Sequence, residues 1–220
     1  MAPRRQFCGG RGRLSIALWS LALLLAPSAG LGRTLPPAWI AFTNAWASVK
    51  GYSATDTVYE RKGTVIQNMF FTYTFTKPSS ATMTVIRGPN AGGTLVWSGG
   101  STVVAHMGTG LTAMFKRTFP LHDPQVTTIR GASIDQLSFS AILAHGLRTA
   151  GPITQKPGPT ISGIATDTVT LIPSQSANDT GLTREVVEIS RTTHFPVAVL
   201  GYAGQTLVRT VDFSNVQLKR

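Results

Sequence analysis

The side chains able to carry out acid–base, nucleophilic or metal chemistry are few and scattered along this chain. The four histidines stand far apart, and none of them has the spacing of metal ligands. His122 and Asp123 could act as a base and its orienting acid, but they lie between two prolines, where a surface turn is the commoner arrangement. The serines lack the glycine context of a nucleophile elbow, and the acidic residues are dispersed. We therefore expect no enzyme activity, no metal and no cofactor.

Aromatic, methionine and aliphatic side chains form a second group, whose chemistry is that of an apolar binding wall. Aromatic and methionine side chains adapt well to flexible apolar ligands. They suit an ordinary hydrophobic core equally well, and both interpretations stay open for each residue taken alone. The predicted apolar pocket consists of Trp39, Phe42, Trp46, Met69, Phe71, Tyr73, Phe75, Met83, Trp97, Leu137, Ile142 and Leu143.

Two short helices are predicted to carry part of this group. The first begins at Pro36 and Pro37, carries an apolar stripe with spacings of three and four residues, and ends at Gly51. The second follows Ser133, which has Gln136 at the spacing of a capping box, and runs over 134–145. Loops rich in proline and glycine flank the second helix, so we predict that it can move as a lid.

Most of the remaining chain is predicted as strands joined by short turns. The longest strand covers 64–77 and alternates strictly between apolar and polar residues, and a further strand is predicted over 111–119. The order is one helix, about six strands, a second helix and about four strands, which favours an antiparallel sheet that must curl. The predicted fold is mainly β (α+β), a strongly curved antiparallel half-barrel of about ten strands whose helices cover the concave face. Two short helices would leave a cavity in so large a sheet.

The first 32 residues have the layout of a cleavable export signal. A head with four arginines precedes an apolar run over 14–26, which is too short for a spanning helix, and small residues follow. We place cleavage between Ala29 and Gly32, so that 33–220 forms a single soluble domain in the periplasm or outside the cell. Cys8, the only cysteine, leaves with the signal. Export by the general or the twin-arginine route stays open.

The chain is strongly basic, with a formal net charge of +11. Its lysines and arginines stand mostly singly within 33–220, without the clusters typical of nucleic-acid binding, so we expect no nucleic-acid partner. Anionic lipid head groups suit a basic exported protein better. The alternative, that the charge has no specific partner, stays open.

Several segments together resemble the LolA/LolB-like lipoprotein-carrier superfamily. They are an amphipathic helix leading to Tyr52, a long strand over 71–77 that ends in Lys77-Pro78, a hydrophobic hairpin over 95–100, and a tail of strands over 187–216. The resemblance covers nearly all of residues 36–218. The stretch 119–131 is similar to an uncharacterised exported branch of the superfamily.

The resemblance implies a half-open barrel whose helices plug an apolar cavity for the acyl chains of lipids or lipoproteins. It implies an exported carrier, with a membrane protein as a further candidate partner, and we expect a monomer. In the soluble carrier of this family, an arginine before the strand-ending proline holds the lid, and its match here is Lys77, which lacks the planar guanidinium. We predict that Lys77 locks the second helix through its carbonyls or Asp135. The alternative function is an envelope sensor or regulatory binding module on the same scaffold.

Overall fold

A computed structural model describes residues 34–108, 115–173 and 181–220. The predicted signal over 1–32 lies outside the described residues, as does the 111–114 part of one predicted strand. The helical elements are α1 (Pro37–Ala47), a 3₁₀ helix (Ile134–Leu137) and α2 (Phe139–Leu147). The strands are β1 (Gly51–Lys62), β2 (Val65–Thr76), β3 (Ser80–Arg87), β4 (Gly93–Trp97), β5 (Thr102–Met107), β6 (Lys116–Pro120), β7 (Thr154–Ile161), β8 (Ile164–Leu171), β9 (Arg184–Ser190), β10 (Pro196–Ala203) and β11 (Thr206–Lys219).

The strands form one antiparallel sheet in the order β6-β5-β4-β3-β2-β1-β11-β10-β9-β8-β7. Strands β6 and β7 lie at its two edges and do not pair with each other, so the sheet is curved but unclosed. This confirms the predicted fold class, a half-open antiparallel sheet with helices on its concave face. The first six predicted strands correspond to β1–β6, and the tail has five strands where about four are predicted.

The additional strand is β7, which the sequence predicts as part of a loop over 149–159. Pro157 and Pro159 lie within it, and proline cannot donate to a strand ladder. The sheet tolerates both because β7 is an edge strand that pairs only with β8, and the pairing is irregular between Pro157 and Thr160.

The helix predicted over 134–145 is two elements in the structure. A 3₁₀ helix begins after Ser133 with the predicted capping box to Gln136, and it ends at Ser138, whose backbone is extended (φ −81°, ψ 155°). The Ser138 hydroxyl accepts a hydrogen bond of 3.1 Å from the Ala141 amide and so caps a new helix, α2. The second cap turns the chain at Ser138 and splits the predicted helix.

The core is an aromatic cluster between the concave face and the two α-helices. Phe139, at the start of α2, stacks on Tyr52 of β1 with ring centroids 4.0 Å apart and an interplanar angle of 7°. Its ring also meets Phe42 and Trp46 of α1 edge-on, at centroid distances of 6.1 and 5.9 Å. Phe42 and Trp46 of α1 thus pack against both α2 and the sheet. This packing explains why so short a helix carries an apolar stripe of large side chains.

One acidic side chain, Asp56 of β1, is fully buried in this apolar environment. Neither of its carboxyl oxygens has a hydrogen-bond partner among the described residues. Burial raises the pKa of Asp56 well above its ordinary value, because the charged form cannot be solvated there. The folded protein therefore keeps Asp56 protonated at a pH where the unfolded chain has released the proton.

Replacing Asp56 with asparagine should stabilise the protein near neutral pH. Below the ordinary aspartate pKa, both states of the parent hold the proton, whereas above it only the folded state does, so the free energy of unfolding falls as the pH rises. Asparagine removes this dependence, and we expect a higher free energy of unfolding than in the parent at about pH 7 and little difference at about pH 4. Urea unfolding of the variant and the parent at both pH values measures this difference in the free energy of unfolding. An equal difference between variant and parent at the two pH values would refute the argument.

Candidate functional site

A cavity of about 900 Å³ lies between the concave face of β2–β6 and the segment 124–137 that leads to α2. Its lining is mainly apolar. From the sheet, the apolar lining comes from Met69, Met83, Val85, Leu95, Ala105 and Phe119. A volume of this size lies in the range of roughly 300–1,000 Å³ in which proteins hold small ligands.

The sheet side of the cavity follows from strand alternation and register. Met83 of β3 pairs with Tyr73 of β2 and with Leu95 of β4, and Leu95 in turn pairs with Ala105 of β5. Paired residues in an antiparallel sheet point to the same face. A row of medium and small side chains therefore crosses three strands, β3, β4 and β5, whereas the neighbouring part of β2 presents large aromatic rings. Because these side chains are smaller than the aromatic rings, they leave the space that forms the cavity.

The opposite wall of the cavity is the segment 124–137, which contributes Val126, Ile134 and Leu137. Three hydrogen bonds from buried or partly buried groups fasten this segment to the sheet. The Ile129 amide donates to Gln67 Oε1 at 3.0 Å, and the Tyr73 hydroxyl donates to the Ile134 carbonyl at 2.9 Å. The third bond runs from the Arg130 amide to Glu60 Oε2 at 3.1 Å. The wall is thus held to the sheet at Ile129, Arg130 and Ile134, without a regular secondary structure of its own before Ile134.

Three of the predicted pocket residues line this cavity, namely Met69, Met83 and Leu137. The others do not line it. All nine of them pack in or against the core, and these are Trp39, Phe42, Trp46, Phe71, Tyr73, Phe75, Trp97, Ile142 and Leu143. The rings of Tyr52, Trp46 and Phe75 illustrate the packing, with centroid distances of 5.9 Å from Trp46 to each of the other two. The aromatic side chains thus support the two helices, and the cavity lies in the half of the sheet toward β6.

Sequence reasoning missed several lining residues, chiefly Val85, Leu95, Ala105 and Val126. The first three lie on the same face as Met83 or in register with it, so the strand alternation that singled out Met83 could have extended the pocket across β4 and β5. Val126 lies in a turn-rich loop without periodicity, and no signal in the sequence places it at the cavity.

Lys77, predicted to lock the second helix, lies at α1 instead. Its ammonium group donates a hydrogen bond to the carbonyl of Trp46 and lies 4.3 Å from the centroid of the Trp46 ring. Asp135, the other predicted partner, accepts a hydrogen bond from Ser133. Partial desolvation lowers the pKa of Lys77. A locking role for Lys77 stays a prediction, and the helix on which it could act is α1.

The contact that fastens α2 to the sheet is made by His145 and Glu185. His145 Nδ1 lies 3.0 Å from Glu185 Oε1, and Glu185 is almost fully buried on β9. Burial by itself would raise the pKa of Glu185, but His145, Arg209 and Arg148 offset it and hold that pKa below its ordinary value. The contact between His145 and Glu185 therefore anchors the C-terminal turn of α2, away from the cavity wall at Leu137.

Fold and cavity together define a protein of the half-barrel class, an unclosed antiparallel sheet with a mainly apolar cavity beneath a long loop. Among the described residues, no helix has both the length and the apolar character needed to cross a membrane. The described side chains at the cavity are suited to holding an apolar ligand by contact.

Comparison with known proteins relates the chain to solved structures. No family model matches the chain, and no curated protein matches it either. A LolA superfamily protein from Nitrosomonas europaea is 8% identical, with a TM-score of 0.40 over 83% of this chain and 94% of that one. LprF from Mycobacterium bovis is 13% identical, with a TM-score of 0.44 over 84% and 95% of the two chains. A DUF1329 family protein from Desulfovibrio piger is 10% identical, with a TM-score of 0.46 over 84% and 94%.

These similarities extend over most of both chains in each pair, with TM-scores between 0.40 and 0.46. Identities of 8–13% concern the fold alone. The residues of this chain's own cavity, and not these similarities, indicate the kind of ligand.

Proposed function

We propose that this protein is an exported carrier that binds the acyl chain of a lipid or lipoprotein in the cavity beneath β2–β6. The observation that supports the proposal is the cavity itself, about 900 Å³ of mainly apolar space bounded by Met83, Leu95, Ala105 and Leu137. The apolar part of the lining is in contact with water until a hydrocarbon covers it, and removing that surface from water favours binding. A flexible hydrocarbon chain fills such a space and needs no directed polar contact.

The expected affinity follows from the hydrocarbon that the cavity can remove from water. Each buried methylene contributes about 0.8 kcal/mol, so about sixteen of them contribute on the order of 13 kcal/mol, and about 8 kcal/mol is left after roughly 5 kcal/mol is subtracted for the costs of association. Such a gain favours dissociation constants on the order of micromolar. Binding of this strength holds a lipid in transit and still allows its release.

The adaptable side chains of the lining support a carrier for acyl chains of varied structure. Met69 and Met83 carry flexible, polarizable thioethers at the sheet side. The wall over 124–137 is held by individual hydrogen bonds and not by a strand ladder, so it can move more easily than the sheet. We infer that ligand entry involves this wall.

A direct binding assay tests the proposal. The purified 33–220 domain is extracted to remove copurified lipid and titrated with an environment-sensitive fluorescent fatty acid. We expect saturable binding on the order of micromolar and displacement by unlabelled fatty acid and by phospholipid. A linear, non-saturable signal that unlabelled lipid leaves unchanged would overturn the carrier proposal.

The regulatory module predicted as an alternative would use the same cavity to sense lipid. A transfer assay separates the two functions, because a carrier speeds the movement of a fluorescent lipid between two vesicle populations. A sensor binds the lipid without raising that rate.

A further inference from the structure

The cavity reaches one end of the sheet, which we call the mouth end and define by the β1–β2 turn, the β3–β4 turn, the end of β5 and the start of β6. These parts lie at the same end because neighbouring strands of the sheet run antiparallel. Pro89 and Asn90 of the β3–β4 turn line the cavity, and so do Met107, Phe115 and Lys116 on either side of the β5–β6 connection. These lining residues are exposed, so the cavity is open to the outside at this end.

The mouth end combines exposed apolar side chains with the opening of the cavity. Val65 and Ile66 beside the β1–β2 turn are 57% and 56% exposed. Met107 and Phe115 at the β5–β6 connection are 53% and 80% exposed. Large apolar side chains at such exposure are costly in water when they are close together, and they mark a surface that contacts another apolar phase.

Basic side chains lie at the same end of the sheet as these apolar residues. Arg61 and Lys62 lie at the β1–β2 turn, Arg87 at the β3–β4 turn, and Lys116 and Arg117 at the start of β6, and all five are exposed. Segments 61–66, 87–93 and 107–117 contain no acidic residue. The neighbouring Glu60 is fully buried beside Arg209, so it does not neutralise the surface.

We infer that the mouth end docks on the surface of a bilayer that contains anionic lipids. Exposed apolar side chains set among lysines and arginines match an interface in which hydrocarbon lies just beneath negative head groups. The inference rests on the proposed function in one respect, since docking at the mouth end brings the cavity opening against the source of the acyl chain. The combination of basic charge, exposed apolar side chains and an adjoining cavity favours a bilayer over a protein as the partner of the mouth end.

The opposite end of the sheet provides a matched comparison. Lys50 precedes β1 and Lys219 ends β11, both are exposed, and their backbones pair through the Lys50 amide and the Lys219 carbonyl at 2.7 Å. This end is basic too, but the described cavity does not reach it. If net charge alone bound the protein to vesicles, reversing charges at either end of the sheet would weaken vesicle binding by the same factor.

The experiment compares two double variants by cosedimentation with vesicles. Lys62→Glu/Arg87→Glu alters the mouth end, and Lys50→Glu/Lys219→Glu makes the same charge change at the other end. Neither pair lines the cavity. We expect the parent to bind phosphatidylglycerol–phosphatidylcholine vesicles and not pure phosphatidylcholine, with binding lost at high salt. Each basic residue near the surface is worth about fivefold in affinity, so the mouth-end variant should bind at least about 25-fold more weakly and the control much like the parent.

Equal losses in the two double variants would overturn the inference, as would failure of the parent to bind anionic vesicles. Ile66→Ser adds an uncharged test, since it should weaken docking while the net charge stays constant. Binding of the soluble fluorescent fatty acid is measured on every variant without vesicles. If the parent does not bind the fatty acid, the proposed function is wrong. Unequal vesicle binding by the two double variants supports docking whether or not the fatty acid binds.

Discussion

Replacing Ala105 with tryptophan should weaken fatty-acid binding on the order of 100-fold. Ala105 lies in the middle of β5, in register with Leu95 on one side and Arg117 on the other, and its side chain lines the cavity. An indole at this position extends into the space that the ligand would occupy. The half-buried site and the open volume in front of it leave the fold a way to accommodate the larger side chain.

The magnitude follows from the hydrocarbon that the indole excludes. If it displaces three or four methylenes of the ligand, the loss is about 3 kcal/mol at 0.8 kcal/mol for each methylene, which corresponds to roughly 100-fold in the dissociation constant. The fluorescent fatty-acid titration measures this loss. Circular dichroism and thermal unfolding check that the variant is folded.

Val104→Trp is the matched control for this substitution. Val104 is the neighbouring residue of β5, pairs with Val96 and Thr118, and does not line the cavity. Because adjacent side chains of a strand point to opposite faces, the same increase in volume falls on the convex side. We expect binding close to that of the parent. If Val104→Trp weakens binding as much as Ala105→Trp does, or if neither does, the ligand does not occupy this cavity.

Truncating Phe139 to alanine should cause the largest loss of stability, about 4 kcal/mol. The ring is fully buried and stacks on Tyr52 at 4.0 Å, with further contacts to Phe42, Phe195 and Phe213. It connects the two helices with strands from both halves of the sheet. Removing the Phe139 ring leaves a void, because the surrounding rings cannot move together to fill it. The favourable ring–ring contacts are lost as well.

Thermal unfolding measures this loss, and a chain of this length should lose about 10 °C in melting temperature. Leu147→Ala serves as the control, because Leu147 belongs to the same helix and is 87% exposed. It should unfold within a degree or two of the parent. A change in the Phe139→Ala variant as small as that of the control would show that α2 does not hold the core together.

The fold was accessible from the sequence because strand alternation and turn residues act locally. β2 alternates between buried rings and exposed or half-buried threonines as its sequence predicts, and the tight turn at Gly63, with φ +60°, sets its register against β1. The break at Ser138 was not accessible in the same way. Ser133 and Ser138 can each cap a helix, and only the packing of Phe139 into the core decides where the chain turns.

The site was only partly accessible, since residues that line a cavity and residues that fill a core obey the same pattern. Phe71 and Met83 both point to the concave face and are both buried, yet only Met83 borders the cavity. Whether space is left depends on the summed side-chain volumes of several strands and on the loop over 124–137, which no local pattern reveals. Met69 and Leu137 were identified because they are apolar and face inward, and the same reasoning selected Phe71 and Tyr73 of the core.

Photolabelling with a fatty acid that carries a diazirine in the middle of its chain tests the central claim most directly. Irradiation of the complex followed by peptide mass spectrometry identifies the residues that contact the hydrocarbon. We predict labelling in β3, β4 and β5 and in the segment 124–137, removed by an excess of unlabelled fatty acid. Competed labelling confined to other parts of the chain, or labelling that competition leaves unchanged, would contradict acyl-chain binding in the cavity.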